Sequence, residues 1–455
     1  MDWRSKAKEV FKLQKTYDNV TVNNIILKCA NAYKGVPEWR EEVDTVNFTK
    51  TICEETARLI MLGTSVKFNE SARGKYLQKV IDKQYFNLRQ WAEYAMAYGT
   101  VIIKPNGEDF DCVLPDNYFV TDVKNGEIWG AVFVTVRNIE KDWYTRLEYH
   151  RFEKDVYKIS NRAFLGKSST SIDREINMKN SPWKELTREC EFENIESPLF
   201  AVLRTPQGNN IDPESPFGLP LVAQALWEMK FLDIAFFRMT HEIDQSKRTV
   251  LLDSDRLLTG SMTKEQRAQQ IATYNDVRKS MGLPDYVRAV EGMGEGNFYS
   301  EINPTLNTEQ RLKGINHLLS QIGYKIGFAN GYFVFNEASG IQTATGVESN
   351  DQRTMQFIKD CRDRMEDALK ELVAGISVFA DTYKLAPAGT YEVTYQFGDI
   401  TYNEDEDRAR WLTYVNMGKM PFWRYLVKFE GFTEDEAKEI DAEMKVQDLL
   451  LPPEE

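Results

Sequence analysis

An acidic run near the carboxyl end is the first feature of the sequence with chemical potential. Residues 403–407 read NEDED, and Asp405 and Asp407 could offer carboxylates to a divalent metal that assists phosphodiester hydrolysis. No second carboxylate cluster stands at a spacing that would complete such a site. Acidic residues are also favoured just before a helix, because they interact with the positive end of its dipole. The run therefore predicts a helix that begins near Arg408, and a carboxylate-metal nuclease stays open as an alternative function.

A glycine-rich segment could cradle a phosphate or a dinucleotide. Gly292–Gly296 reads GMGEG and follows a predicted strand. Nucleotide-binding loops of this kind require a helix directly after the glycines, whereas here NFYSEINP reads as another strand that ends before Pro304. The segment therefore predicts a turn. The chain also lacks GxxxxGK[ST] and GxSxG, so we predict no cofactor site and no nucleophile motif.

The histidines and cysteines form no recognisable catalytic or metal-binding pattern. The histidines are His150, His241 and His317, and none belongs to an HExxH motif. The five cysteines contain no CxxC pair, which predicts free, buried thiols made in a reducing compartment. They are Cys29, Cys53, Cys112, Cys190 and Cys361. From the residues alone we predict no catalytic residue, no metal site and no enzymatic activity.

Charge and hydropathy limit the classes of protein that fit. The chain has 455 residues and a net charge of −13, from 57 Lys and Arg against 70 Asp and Glu. Duplex DNA is held mainly by neutralisation of its phosphates, so an acidic chain does not suit a protein that grips DNA. It does suit a surface past which DNA slides. A mean hydropathy of −0.49 and the lack of a long uncharged apolar run predict no membrane helix, and the charged first residues predict no secretory signal.

The first half of the chain is predicted to contain helices followed by a sheet. Apolar spacing places helices over 47–62 and 76–96, and Gly99 ends the second. From 100 to 204 the period changes to two, which predicts a mostly antiparallel sheet. The prolines and glycines of 203–220 predict an irregular loop.

The second half is predicted to contain three long helices, over 220–246, 308–328 and 349–383. An α/β insert, 248–303, with a helix over 261–281, separates the first two, and a loop, 329–348, separates the last two. Capping boxes at Ser349 and Thr433 open the third long helix and the last helix of the chain. The small hydroxylated residues of the loop suit a turn, but their place between two amphipathic helices suggests more.

Four stretches, in this order, resemble the portal proteins of tailed bacteriophages, in particular those of long-tailed phages of Gram-positive hosts. They are Asn47–Leu62, the segment PLFAVLRTPQGNNIDPESPFGLPLVAQA at 198–225, TATGVES at 343–349, and GFTEDEAKEIDAEM at 431–444. The resemblance covers nearly the whole chain. The family motif reads TATE where this chain has Gly346, so no role for an acid is carried over to that position.

The resemblance implies an α+β portal-type subunit with a helix/β wing, a two-helix stem, a small α/β clip, a long wing helix and a helical crown. The implied parts are the wing 1–217, stem helices 218–247 and 304–328, the clip 248–303, the tunnel loop 329–348, the wing helix and strand 349–403, and the crown 404–455. In the tunnel loop the residues expected to face DNA are Asn330, Asn336, Ser339, Gln342, Thr343 and Thr345. Stem contacts are expected from Leu226, Met229, Leu312, Ile315, Leu319 and Ile322, and wing-helix contacts from Ile358, Met365 and Leu369.

The resemblance also implies a function and partners. We expect a homo-oligomeric ring, usually of twelve subunits, at one capsid vertex of the virion, assembled in the host cytoplasm. Double-stranded DNA would pass through it during packaging and ejection. The terminase large subunit, a head–tail adaptor, a scaffold protein and the major capsid protein would be its partners, with no membrane and no cofactor. The alternatives that stay open are the nuclease and a helical scaffold protein.

Overall fold

The structure is a computed structural model. It describes residues 2–17, 19–106, 109–154, 156–246, 249–253, 263, 265–266, 269, 287–290, 299–302, 306–335, 344–398 and 404–450. Helix makes up 48% and strand 22%, so the chain is the mixed α+β protein that the sequence predicts.

The chain divides into two compact units. The first comprises Met1–Ile60 and Phe68–Val393, and the second comprises Met61–Lys67 and Thr394–Glu455. In the described part of the chain the helices are α1 (Trp3–Val10), α2 (Val20–Tyr33), α3 (Phe48–Met61), α4 (Ala72–Tyr98), α5 (Leu226–Gln245), α6 (Thr308–Ile326), α7 (Ala344–Thr382), α8 (Glu404–Asn416), α9 (Phe422–Tyr425) and α10 (Glu434–Leu450).

The described strands form four sheets. They are β1 (Ser65–Phe68), β2 (Thr100–Asn106), β3 (Asp109–Val113), β4 (Tyr118–Lys124), β5 (Glu127–Ile139), β6 (Asp142–Glu153), β7 (Val156–Gly166), β8 (Arg174–Ile176), β9 (Glu189–Glu193), β10 (Ala201–Arg204), β11 (Thr249–Asp253), β12 (Val287–Val290), β13 (Tyr299–Ile302) and β14 (Val393–Gln396). The largest sheet has the order β4-β5-β6-β7-β8, with β9 also paired to β7, and every pair in it is antiparallel. This confirms the predicted antiparallel sheet.

Helix α2 covers one side of two sheets of the first unit. Val22 and Ile26 of α2 pack in one buried cluster with Ile102, Val120 and Phe133 of three strands. A second sheet, β10-β2-β3, contributes to the same cluster. Because side chains alternate along each strand, the apolar residues reach the helices while their neighbours point away.

Gly99 forms the junction between α4 and β2, as predicted. Its φ of +82° and its contact with the chain at Gly218 leave no room for a side chain, because a Cβ atom would lie 2.2 Å from the Gly218 carbonyl oxygen. The irregular loop after β10 is tied to the same point, since Gly218 donates its N–H to the Thr100 hydroxyl at 2.8 Å. The loop predicted over 203–220 is therefore ordered by tertiary contacts.

The insert carries a three-stranded sheet in the order β12-β11-β13. The pair β11–β12 is parallel and the pair β11–β13 is antiparallel. The strands confirm the predicted α/β insert in part. Most of its predicted helix, and Gly292–Gly296, lie outside the described residues; residues 265, 266 and 269 are helical.

The second unit contains its own small core. Strands β1 and β14 pair, and the helices α8, α9 and α10 surround a buried cluster of Tyr425, Leu426 and Ala437. The capping box at Thr433 is confirmed, because the Thr433 N–H donates to the Glu436 carboxylate at 3.0 Å and the Glu436 N–H donates to the Thr433 hydroxyl at 3.4 Å.

Three predicted helix starts were wrong. Helix α5 begins at Leu226 rather than at Pro220, because Leu221 is fully buried and its N–H donates to the Met96 carbonyl at 2.8 Å, which holds this stretch in tight turns. Helix α8 begins at Glu404, so the acidic run forms its first turn instead of preceding it.

The third correction concerns α7, which begins at Ala344 rather than at Ser349. Ser349 is thus inside the helix and cannot cap it. A glycine such as Gly346 costs about 1 kcal/mol in a helix interior, a small term in a helix of 39 residues where each added residue extends the hydrogen-bond ladder.

Candidate functional site

Helices α5 and α6, which precede and follow the insert in the sequence, pack against each other. Their contact is apolar where α5 buries Met229 and α6 buries Ile315, Leu319 and Ile322. The predicted residues Leu226 and Leu312 are only half-buried. Residues 308–314 of α6 and the second half of α5 bury no apolar side chain among the described residues.

Ion pairs fix the register of the two helices at both ends. Lys325 of α6 donates to the Glu228 carboxylate at 2.6 Å and to the Gln224 carbonyl at 3.1 Å. At the other end Arg311 of α6 pairs with Glu242 of α5, which also accepts the Asn307 N–H at 3.0 Å. Since each pair joins residues about 70 to 100 positions apart, sequence reasoning had no signal for them.

Helix α5 leaves large apolar side chains exposed to solvent. Trp227 is 65% exposed, Phe231 39%, Phe237 47% and Ile243 48%. The rings of Trp227 and Phe231 lie 4.3 Å apart and form one patch. Phe237 follows Met229 by eight residues, which is a helical spacing, yet it is exposed. Apolar residues occur on several faces of this helix, and only one of those faces meets α6.

The chain turns sharply after α6 at Gly327. This residue has a φ of +112°, and a Cβ atom here would lie 2.8 Å from the ring of Phe357 on α7. The next residues are held by α7 as well, because the Ala329 N–H donates to the Thr354 hydroxyl at 2.8 Å. The turn therefore couples the end of α6 to α7.

An aromatic cluster fixes the residues that open the predicted tunnel loop. Phe328 packs on Tyr332, Phe333 and Phe357, with ring centres 4.8 to 5.4 Å apart. The Tyr332 hydroxyl donates to the Glu55 carboxylate of α3 at 2.6 Å. Arg58 holds the pKa of Glu55 below its usual range, and Tyr332 adds to this. The start of the loop is therefore built from side chains that only the fold brings together.

The structure describes two of the six residues predicted to face DNA in the tunnel loop. Asn330 lies in the exposed turn after Gly327. Thr345 belongs to α7, not to the loop, which corrects the predicted boundary at 348. Asn336, Ser339, Gln342 and Thr343 lie outside the described residues.

Helix α7 packs against α3 and α4 of the first unit, and its predicted core residues are buried. Ile358 is fully buried, and Met365 and Leu369 are each 1% exposed. Arg362 of α7 donates to the carbonyls of Leu59 and Ile60 at the end of α3. Near the other end of α7, Arg73 of α4 donates to the Ser377 carbonyl and pairs with Asp381.

Glu371 joins α7 to the three-stranded sheet. Its carboxylate accepts the Val202 N–H of β10 at 2.8 Å. Burial is the main cause that raises the pKa of Glu371 to about 7; the nearby Glu127 and Asp367 add to the rise, and Val202 and Arg204 oppose it. This helix–strand contact therefore contains a group that changes charge near neutral pH.

A buried charge network that the sequence did not reveal joins the six-stranded sheet to the three-stranded sheet β10-β2-β3. Glu148 of β6 accepts from Lys104 at 2.8 Å, from Arg146 at 2.9 Å and pairs with His150 at 2.9 Å. Arg146, Glu148 and His150 alternate along β6 and so share one face, which was the available signal. Burial alone would raise the pKa of Glu148, but Lys104, Arg146 and His150 hold it well below its usual range.

This network has no access to a substrate. His150 is 2% exposed, and Tyr157, which contacts its Nδ1 at 2.8 Å, is 0% exposed. Burial lowers the pKa of His150 and favours its neutral ring. The residues form hydrogen bonds and ion pairs with one another inside the fold. This arrangement indicates a structural role rather than acid–base catalysis.

Metal-binding residues do not converge in the described part of the chain. No group of three or more His, Cys, Asp or Glu residues there could hold a metal ion. Asp405 and Asp407, the acids named for the nuclease alternative, lie in the first turns of α8. The predicted free thiols are confirmed for all five cysteines, although Cys112 and Cys190 are only half-buried.

Comparison with known proteins adds no relative. None of the helices that the structure describes is long and apolar enough to cross a membrane. Neither a protein-family model nor a curated protein matches the chain.

Proposed function

We propose that the protein is a portal subunit, which forms a ring at one capsid vertex and provides the channel for double-stranded DNA. The observation that carries the proposal is the exposed apolar patch of Trp227 and Phe231 on α5, with Phe237 and Ile243 also exposed further along the helix. Large apolar patches on a soluble chain mark contacts with other proteins. In a closed ring each subunit would cover this surface with a different surface of its neighbour.

The order of elements supports the same proposal. Two paired helices flank a small sheet domain, a turn held by aromatic residues follows, and a 39-residue helix then returns across the wing. In the proposed ring α5 and α6 would form the stem and the insert 248–303 would form the clip. The clip would bind the terminase large subunit during packaging and the head–tail adaptor afterwards.

The charge of the loop supports a channel that lets DNA pass. Residues 330–345 contain one acid, Glu337, and no Lys or Arg. Affinity for duplex DNA grows with the number of phosphates that basic residues neutralise. A loop without basic residues would contact moving DNA only transiently, while ATP hydrolysis and DNA cutting would belong to the terminase.

The mass of the particle in solution tests the ring. Twelve copies of the 52.7 kDa chain would weigh about 632 kDa. Light scattering should give a mass near this value, and negative-stain images should show a particle with a central hole. A monomer at every concentration and salt tested, also in the presence of the scaffold protein, would contradict the proposal.

The loop is tested separately by DNA packaging. Replacement of Thr343, which directly precedes α7, and Thr345, in the first turn of α7, by Lys adds two phosphate-binding charges to each subunit and should slow or stop packaging while rings still form. Replacement of both by Ser adds no charge and serves as the control. Normal packaging by the lysine variant would reject the tunnel-loop assignment and leave the ring proposal standing.

A further inference from the structure

A cleft over one face of the six-stranded sheet is lined by basic residues. It has a volume of about 460 Å³ and lies between residues 10–15, at the end of α1 and after it, and strands β4, β6, β7 and β9. The segment over the cleft is held at both ends, because Leu13 donates its N–H to the Lys8 carbonyl at 3.0 Å and Tyr17 donates its N–H to the Val120 carbonyl at 3.0 Å. Phe11 packs on Tyr149 of β6 with ring centres 5.1 Å apart.

Two arginines line the sheet side of the cleft and are held in place by hydrogen bonds. Arg151 donates from Nε to Glu153 at 2.7 Å and from Nη1 to the Ser160 hydroxyl at 2.6 Å. Ser160, which is 1% exposed, donates to Glu189 at 2.5 Å. Arg162 donates to the other oxygen of Glu189 at 2.8 Å. The guanidinium groups are therefore oriented before any ligand arrives.

The two acids of the cleft are already compensated. Glu153 pairs with Lys158 as well as with Arg151, and these two hold its pKa below the usual range. Burial would raise the pKa of Glu189, but Ser160 and Arg162 keep it lowered. Both carboxylates thus stay ionised and are occupied by protein partners.

Positive charge remains in the cleft after this compensation. Lys12 and Lys15 add two cations to the two arginines, against only two acids in the lining. Among the described residues, the Lys12 ammonium has no partner, and Lys15 contacts the Tyr17 hydroxyl at 3.0 Å. The Nη2 group of Arg151 has no acceptor within the described part of the chain. These donors come from opposite walls, in a chain whose net charge is −13.

We propose that this cleft binds a phosphate dianion, either as inorganic phosphate or as the terminal phosphate of a mononucleotide. A tetrahedral anion accepts hydrogen bonds from several directions, which matches a held guanidinium on one wall and two ammonium groups on the other. The volume exceeds that of one phosphate and leaves space for an attached group. This site is separate from the proposed DNA channel, and its test does not depend on ring formation.

Isothermal titration of the full chain with inorganic phosphate and with a mononucleotide, at constant ionic strength, tests the site. We expect saturable binding of one ligand per chain. The double variant Lys12→Gln/Lys15→Gln should bind about tenfold more weakly or worse, because both lysines are exposed and contribute only their charge. The double variant Lys141→Gln/Lys167→Gln makes the same charge change at other exposed positions and should bind like the wild type.

Substitution of Arg151 separates geometry from charge. Arg151→Lys keeps the charge but loses the planar fork, so it should also weaken binding about tenfold while circular dichroism stays unchanged. Binding of the mononucleotide without inorganic phosphate would support the site and identify the ester as the ligand. No binding of either at millimolar concentration, equal loss in both double variants, or tighter binding of an acidic peptide than of phosphate would overturn the proposal.

Discussion

The six-stranded sheet buries charged side chains, whereas the α5–α6 pair leaves aromatic side chains exposed to solvent. Charged residues between this sheet and the three-stranded sheet β10-β2-β3 are buried and paired: Lys104 of β2 is 1% exposed, and Arg146 and Glu148 of β6 are 3% and 8% exposed. The helix pair leaves aromatic residues in solvent, with Trp227 65% exposed. A buried charge is tolerated only when it is paired. An exposed aromatic ring contributes a favourable free energy only when another surface covers it.

The buried charges of the two sheets find their partners within one chain, whereas the exposed rings of α5 would need a second surface to become buried. Lys104 of the three-stranded sheet and Glu148 of the six-stranded sheet are paired within the chain although they are 44 residues apart. On α5, by contrast, Trp227 and Phe231 contact each other at 4.3 Å and extend into solvent. Substitutions in the sheet should therefore affect the stability of the monomer, and substitutions on the outer face of α5 should affect assembly.

The largest effect is expected from Glu148→Gln. The change leaves Arg146 buried without its carboxylate partner and Lys104 with only the partly exposed Asp111, 3.4 Å away, which costs about 3 to 5 kcal/mol of unfolding free energy. Urea unfolding followed by tryptophan fluorescence measures it. Glu191→Gln, on the neighbouring β9, is the control, because that side chain is 60% exposed and its pair with Lys158 is worth less than about 1 kcal/mol. Equal losses in the two variants would remove the contrast between buried and exposed charges.

The next largest effect is expected at the turn after α6. Gly327→Ala combines a positive φ with a clash against Phe357 and should cost about 3 kcal/mol. Gly331→Ala is the matched control, because its φ is +89° and no atom lies within 4 Å of the added Cβ, so only the backbone cost of about 1 kcal/mol remains. Thermal unfolding of both variants measures the difference. If Gly331→Ala is the more damaging variant, Phe357 does not limit the turn.

A pH-dependent effect is expected from Glu371. Its pKa of about 7 in the folded chain, against an ordinary 4.5, means that the folded chain retains a proton in this interval that the unfolded chain has released. The contribution of Glu371 to the free energy of unfolding is therefore fully present below pH 4.5 and is lost as the pH rises through 7. Between pH 5 and 8 the wild type should lose on the order of 2 to 3 kcal/mol relative to Glu371→Gln, which cannot ionise.

Denaturation midpoints at pH 5 and pH 8 measure this loss. Glu366→Gln, on the same helix with a side chain 31% exposed, is the control and should follow the wild type at both values. A difference between wild type and Glu371→Gln that does not change with pH would show that Glu371 is ionised in the same way in both states.

The smallest effect on monomer stability is expected from Trp227→Ser, within about 0.5 kcal/mol, since the side chain is mostly exposed. The same variant should nevertheless lower the assembled mass in light scattering. Met229→Ser, two residues away and 3% exposed, is the contrasting variant and should destabilise the monomer by about 2 to 5 kcal/mol. Full assembly of Trp227→Ser would exclude this face from the ring contact.

Local chemistry in the sequence was sufficient to predict many elements of this protein. The strands β5, β6 and β7 follow from alternation, the end of α4 follows from Gly99, and the start of α10 follows from the capping box at Thr433. These features depend on residues within a few positions of one another, so their physical cause is contained in the sequence itself. The turn at Asn125 and Gly126, with φ of +54° and +77°, belongs to the same group.

Only the tertiary structure decided which surfaces are covered and which charges are paired. Pro220 could have opened α5, but the buried Leu221 and its bond to Met96 hold the chain in turns until Leu226. Apolar periodicity marks Met229 and Phe237 alike, yet one is buried and the other is 47% exposed. The reason is physical: burial and ion pairing depend on segments far apart in the chain, whereas helical and strand periodicity depend on near neighbours.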